Sequence, residues 1–204
     1  MASRNRVKTY VDKSYYHIYN RGVEKRVIFE NKEDYSVFLN LIKRYLSIEP
    51  VKDNKGRQYT WLHEDIELIA FCLMPNHFHM FVYQDKRDAM TRLMRGVCSA
   101  YTTYFNKKYD RVGPLFQDRY KAVLLINEAH YIHISRYIHL NPVDYMEWEW
   151  SSLQYYLGSK NASWVTTGSV MEQFEFDTEK YLEFIKDYRK YKESLADIVD
   201  ELAG

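Results

Sequence analysis

Strand-like and helix-like runs follow one another in the order β-α-β-β-α-β, with one more helix behind them. That order predicts an α+β chain: a ferredoxin-like antiparallel sheet with helices on one face plus a C-terminal helical extension. The length of 204 residues and the 46% apolar fraction suit one packed domain with an appendage. The boundary is expected near residue 150, giving a sheet domain over 1–150 and an extension over 151–204 packed on it.

The elements are justified in turn. Ser14-Tyr15-Tyr16-His17-Ile18-Tyr19 is aromatic and β-branched, and Asn20-Arg21-Gly22 reads as the turn that ends it. From Asn31 to about Leu46, Tyr35, Phe38, Leu39, Ile42, Tyr45 and Leu46 recur at helical spacing, with Asn31 and Asp34 as start signals. Residues 51–57 are polar and contain Gly56, hence a loop. Ile66 to Leu73 and His77 to Tyr83 read as two strands joined by Met74-Pro75-Asn76, a hairpin expected at the centre of the sheet. Met90, Leu93, Met94, Val97, Tyr101, Tyr104 and Phe105 form the stripe of a helix over about 88–106. Tyr120 to Ile126 is a further strand. Asn127 caps a helix that runs to Leu140, where Pro142 bars Asn141 from helical geometry. Beyond Trp148 a short helix, a loop and a charged amphipathic helix from Glu179 to about Val199 are expected.

Composition narrows the setting. Two cysteines, Cys72 and Cys98, lie far apart in apolar segments and make neither a disulfide framework nor a zinc set, which favours a reducing cytoplasm. No apolar run approaches the roughly 20 residues of a membrane span, and the N-terminus lacks a signal-peptide core, so no membrane partner is expected. The net charge of +1 is neutral on nucleic acid. Twenty tyrosines suit base stacking and ordinary amphipathic packing equally.

The stretch richest in chemistry is Met74-Pro75-Asn76-His77-Phe78-His79-Met80-Phe81-Val82. On a strand, His77 and His79 share one face while Phe78 and Met80 take the other, and two neutral imidazoles side by side can grip one divalent cation. Seven histidines in this length give such a spacing by chance in roughly one chain in four, so partners are needed. They occur in Tyr137-Ile138-His139-Leu140-Asn141-Pro142, where a tyrosine precedes a metal-capable amide by four residues. On a helix both would project from one side.

Four segments together carry a resemblance: Tyr16-His17-Ile18-Tyr19-Asn20-Arg21-Gly22, Met74 to His79, Gly113-Pro114-Leu115-Phe116-Gln117-Asp118-Arg119-Tyr120, and Tyr137 to Val143. In order and spacing, over about 13–150, the chain resembles the single-tyrosine HUH transposases of the IS200-like family, and within them the REP-associated tyrosine transposases. The resemblance implies a single-stranded DNA hairpin as substrate, a Mg or Mn cation, and nicking and rejoining through a covalent 5′-phosphotyrosine. It implies Tyr137 as nucleophile and His77, His79 and Asn141 as metal ligands. Insertion-sequence members carry glutamine where this chain has Asn141.

For DNA contact the candidates are Asn20, Arg21, Gly22, Arg92, Arg95, Gln117, Arg119, Tyr120 and Lys121. An arginine beside a glycine permits close approach to a phosphate and a bidentate grip on it. Arg92 and Arg95 also read as a solvated helix face, and Gln117, Arg119 and Tyr120 as plain surface. Tyr131 is the rival nucleophile, and His133 and His139 read as surface or satisfied core histidines. Two other functions stay open at this point: a non-catalytic single-stranded nucleic-acid-binding module on a ferredoxin-like sheet, and a metal-dependent hydrolase that uses water. The chain is expected to act as a monomer or homodimer.

Overall fold

The computed structural model describes residues 10–187. Four strands, β1 (Ser14–Arg21), β2 (Ile66–Met74), β3 (His77–Gln84) and β4 (Lys121–Leu125), form one antiparallel sheet in the order β2-β3-β1-β4. The fold class is α+β with the ferredoxin-like strand order. The β2–β3 hairpin is not wholly central: β3 and β1 occupy the middle and β2 is an edge. Periodicity cannot see this, because β1 must leave by helix α1 (Lys32–Leu46) before the hairpin forms and then inserts beside its second strand.

β1 also runs further than the residue types suggest. Asn20 pairs with Phe78 and Arg21 with His77, so both belong to the strand rather than to a turn. The chain turns only after Gly22, whose N–H donates to the Asn76 carbonyl and where an added Cβ would lie 2.3 Å from the Arg26 carbonyl oxygen. Glycine is required there by close backbone approach.

Alternation on the strands produces two buried faces. Tyr16, Ile18, Leu68, Leu73, Phe78, Met80 and Val82 meet Phe38 and Ile42 of α1 and Leu93, Val97, Tyr101 and Phe105 of α2 (Ala89–Lys108). α1 starts as its residues predict, with a capping box between Asn31 and Asp34. The other face carries Ile69, Cys72 and Phe81 and is covered by Ile134 and Ile138 of α3 (Glu128–His139) and by the C-terminal segment. Helices on one face describes α1 and α2; the third helix lies on the opposite face. A β-bulge between Leu68 and Ala70 turns Ile69 and Ala70 together into that second core.

The C-terminal segment is short helices joined by loops: α4 (Leu153–Tyr156), α5 (Gly168–Met171) and α6 (Thr178–Lys186). Its first residues are bonded to β2. The Leu73 N–H donates to the Trp150 carbonyl, and the Ser152 N–H donates to the Phe71 carbonyl. α6 then closes over α3 through the Tyr181 hydroxyl, which meets Ser135 Oγ at 3.0 Å and His139 Nδ1 at 2.8 Å. The part of the expected helix beyond Asp187 lies outside the described residues.

Candidate active site

The second face of the sheet opens into a cavity of about 520 Å³ at the end where β1 finishes and β3 begins. The register explains the gathering: Arg21 lies opposite His77, and Tyr19 opposite His79, so four side chains from two strands project to one side within two residue pairs. His17, His79, His77, Tyr19, Asn20, Arg21, Asn76, Gln117, Asp118, Arg119, Lys121 and Tyr137 line it.

α3 brings Tyr137 over this row. Its ring stands edge-on to His79 with centroids 5.3 Å apart, and to His17 at 6.0 Å. The rival Tyr131 is elsewhere: it packs on Tyr15 at 4.2 Å and Phe81 at 5.8 Å, outside the cavity lining. His139 is a satisfied core residue, bonded at Nε2 to Ser152 Oγ and at Nδ1 to Tyr181. His133 contacts Arg136. The helix ends at His139, so Asn141 is beyond it rather than on its face, yet the turn carries Asn141 Oδ1 to within 3.0 Å of His77 Nε2.

The hydrogen bonds fix which nitrogen of His77 is bare. Asn76 Nδ2 donates to the Lys25 carbonyl at 3.2 Å, which leaves Oδ1 facing His77 Nδ1 at 2.6 Å. An amide oxygen only accepts, so Nδ1 carries the proton. Burial holds His77 below its usual pKa, with Arg21 adding to the effect and Asn141 opposing it. In the neutral ring Nε2 is then a lone pair facing another acceptor, Asn141 Oδ1.

His79 is pushed well down by burial and by its neighbours His17 and His77, and His17 is pushed down to about 3 by burial alone. The imidazoles are therefore neutral at physiological pH, as ligation demands. No three His, Cys, Asp or Glu side chains form a metal-holding group among the described residues, so a cation here would draw on His77, His79 and the oxygen of Asn141. Imidazole nitrogen suits transition ions and the amide oxygen suits Mg²⁺ or Mn²⁺, so of the two expected ions Mn²⁺ suits this mixed set better.

Around this row the wall is basic. Its lining includes Arg21, Arg119 and Lys121 against one carboxylate, Asp118. Arg21 donates to Gln117 Oε1 from Nε and Nη2 at 3.4 and 3.3 Å, and Lys121 Nζ lies 5.6 Å from the Tyr19 ring centre. Asn20 is mostly spent internally. Its Nδ2 donates to the Asp118 carbonyl and its Oδ1 accepts from the Arg21 N–H, which ties the 117–119 loop to β1.

Four expected DNA-contact residues do not line the cavity. Arg92 and Arg95 are on α2, which packs on the opposite face; Arg92 Nη1 is 3.1 Å from Asp65. The Tyr120 hydroxyl meets Thr91 Oγ1 at 3.0 Å and its ring stacks on Tyr10. Gly22 packs against Arg26. Conversely, His17, Tyr19, Asn76 and Asp118 line the cavity without having been singled out for it. For His17 and Tyr19 the signal is the strand period: Tyr15, His17, Tyr19 and Arg21 must share a face, but only the β1–β3 register shows that it is the face of His77 and His79.

No curated protein matches this chain. A solved REP-associated tyrosine transposase bound to a REP hairpin shares the fold: TM-score 0.56 and 15% identity, over 81% of this chain and 92% of that one. A candidate transposase from Deinococcus radiodurans R1 aligns more loosely, with TM-score 0.40 and 15% identity over 66% of this chain and 95% of its own. Residues 54–141 match the family model described as "Transposase IS200 like". That segment begins before β2 and ends on Asn141, so this part of the chain is similar to the IS200-like transposases.

Proposed function

We propose that this protein is a metal-dependent endonuclease and strand transferase of single-stranded DNA, of the REP-associated kind, that nicks and rejoins DNA at hairpin repeats. The observation that supports it most is the position of the Tyr137 ring, edge-on to His79 in a cavity walled by Arg21, Arg119 and Lys121. The related fold that binds a REP hairpin supports a hairpin partner.

A Mg²⁺ or Mn²⁺ ion bound by His77, His79 and Asn141 would neutralise charge on the scissile phosphate as a Lewis acid. The chain's own residues do the rest. Arg21, with its guanidinium already held by Gln117, offers a planar fork for a neighbouring phosphate, and Arg119 and Lys121 extend the positive wall along the strand. Tyr19, backed by Lys121, presents a ring on which an unpaired base can stack. The Tyr137 oxygen attacks phosphorus and loses its proton; a bond to the 5′-phosphate forms, and the 3′ oxygen leaves and takes up a proton. The linkage conserves the energy of the broken phosphodiester. A 3′-hydroxyl attacking in reverse reseals the strand without ATP and frees the tyrosine.

The test is to incubate the full chain with the repeat hairpin that flanks its own gene and Mn²⁺, then to look for a protein–DNA adduct. A peptide of α3 carrying a 5′-phosphate on Tyr137 is the expected product. Cleavage with no adduct would move the protein to the water-using hydrolases. Tight hairpin binding with no cleavage would make it a binding module.

A further inference from the structure

The site described above contains a third histidine that no role yet accounts for. His17 Nε2 lies 2.9 Å from His79 Nδ1, and the rings are stacked within 9° of parallel at 5.1 Å. His17 is 1% exposed and projects from β1, two residue pairs along the strand from the position opposite His79. Its other nitrogen, Nδ1, is buried with no hydrogen-bond partner. A strand position inside an apolar sheet would be filled more stably by a hydrophobic residue than by an imidazole with one orphaned nitrogen. The polar ring is therefore retained for what its bonded nitrogen does.

We infer that His17 is the positioning residue for His79: it accepts a hydrogen bond from His79 Nδ1–H and so reserves the His79 Nε2 lone pair for a cation. The inference rests on the metal reading given under the proposed function. Two neutral rings joined by one hydrogen bond allow two arrangements. If His17 donated, its Nε2 would hold the proton, His79 Nδ1 would accept, and the His79 proton would sit on Nε2, where it blocks ligation. If His79 donates, its Nε2 is bare and His17 carries its own proton on Nδ1. Only the second arrangement serves a metal, and it matches the one Asn76 imposes on His77, where Nδ1 donates and Nε2 is bare. The two ligand histidines would thus each have a partner that sets the tautomer: an amide oxygen for His77 and an imidazole for His79. Metal-bound histidines usually donate their second nitrogen in this way, and loss of the acceptor weakens metal binding about 10–100-fold.

The experiment compares Mn²⁺ affinity, by calorimetry or electron paramagnetic resonance, for the full chain and for His17→Gln and His17→Leu. Gln keeps an acceptor; Leu keeps bulk and loses it. The expected result is a loss of about 10–100-fold for Leu and a smaller loss for Gln, with metal-free hairpin binding unchanged in both. Wild-type affinity in a folded His17→Leu chain overturns the inference while leaving the metal reading intact. Absence of Mn²⁺ binding by the wild-type chain overturns the metal reading and this inference with it. Should His17→Leu fail to fold, nitrogen NMR of the metal-free wild-type chain reads the arrangement directly: a proton on His79 Nδ1 supports the assignment, and a proton on Nε2 overturns it.

Discussion

His77 Nε2 and Asn141 Oδ1 face each other at 3.0 Å, one from the first residue of a central strand and the other from the turn after the tyrosine helix. With the His77 proton committed to Asn76, Nε2 offers a lone pair, and the Asn141 amide beside it can offer an oxygen to the same cation. The relationship couples the sheet to the segment that carries Tyr137.

Replacing either partner should therefore act on the metal before it acts on the fold. His77→Ala and Asn141→Ala are expected to lower Mn²⁺ affinity at least about tenfold and to abolish hairpin cleavage, while hairpin binding without metal persists. Calorimetric titration of Mn²⁺ into each variant checks this; unchanged affinity in both would remove these residues from the site.

Tyr137→Phe deletes one oxygen from a half-buried ring and should leave folding, Mn²⁺ binding and hairpin binding nearly intact. Cleavage and the covalent adduct should both vanish. Tyr131→Phe, altering a ring packed on Tyr15 and Phe81, should cut normally. The measurement is adduct yield on a denaturing gel, and residual adduct in Tyr137→Phe would sink the nucleophile assignment.

DNA binding should depend on the cavity wall rather than on net charge. Hairpin affinity is expected to fall linearly with salt on logarithmic axes. Arg21→Ala, Arg119→Ala and Lys121→Ala should each reduce that slope by about 1. Arg92→Ala should not, because Arg92 is on the opposite face and paired with Asp65. Fluorescence anisotropy across a salt series separates the two groups.

Asp34 offers a test of stability. Its carboxylate is buried and receives bonds from the Glu30 N–H, Tyr104, Tyr109 and Lys108 Nζ at 2.7–2.9 Å. Burial raises its pKa, but the bonds from Lys108, Tyr109 and Tyr104 outweigh it and the net direction is down. The folded state thus releases this proton more readily than the unfolded chain. The resulting stability is complete above the unfolded carboxylate pKa of about 4 and is lost as pH falls through the lower folded value. Asp34→Ala removes the α1 capping box and the shared acceptor of Tyr104, Tyr109 and Lys108, while Lys108 keeps Glu33, and about 3 kcal/mol of destabilisation is expected in urea titrations at pH 7.

What the sequence made legible was local. The Asn31 and Asn127 caps, the shared face of His77 and His79, and the stop at Pro142 each follow from a short-range rule, and the structure keeps them. What it hid was relational. Arg21 and Asn20 look like a turn until β3 is laid beside them, and Arg92 looks available until Asp65 is brought across. The strand period puts His17 on the face of Tyr19 and Arg21, but its meaning comes from a diagonal neighbour 62 residues away. The face chosen by the third helix was also invisible, because a bulge at Ile69 and the C-terminal segment create the surface it packs on.

The bonds from Trp150 and Ser152 to β2 have a bearing on self-association. An open edge strand displays unsatisfied N–H and C=O groups that any other extended chain can complete. Here Leu73 and Phe71 are already served by the chain's own continuation, and the Thr166 N–H closes on the Leu68 carbonyl further along. A chain cut short before Trp150 would uncover that row together with the apolar face beneath α4 and α5. It would lose its fold partners and acquire a sticky border in one step, so residues 150–187 act as a seal against strand-by-strand aggregation as well as a support for the tyrosine helix.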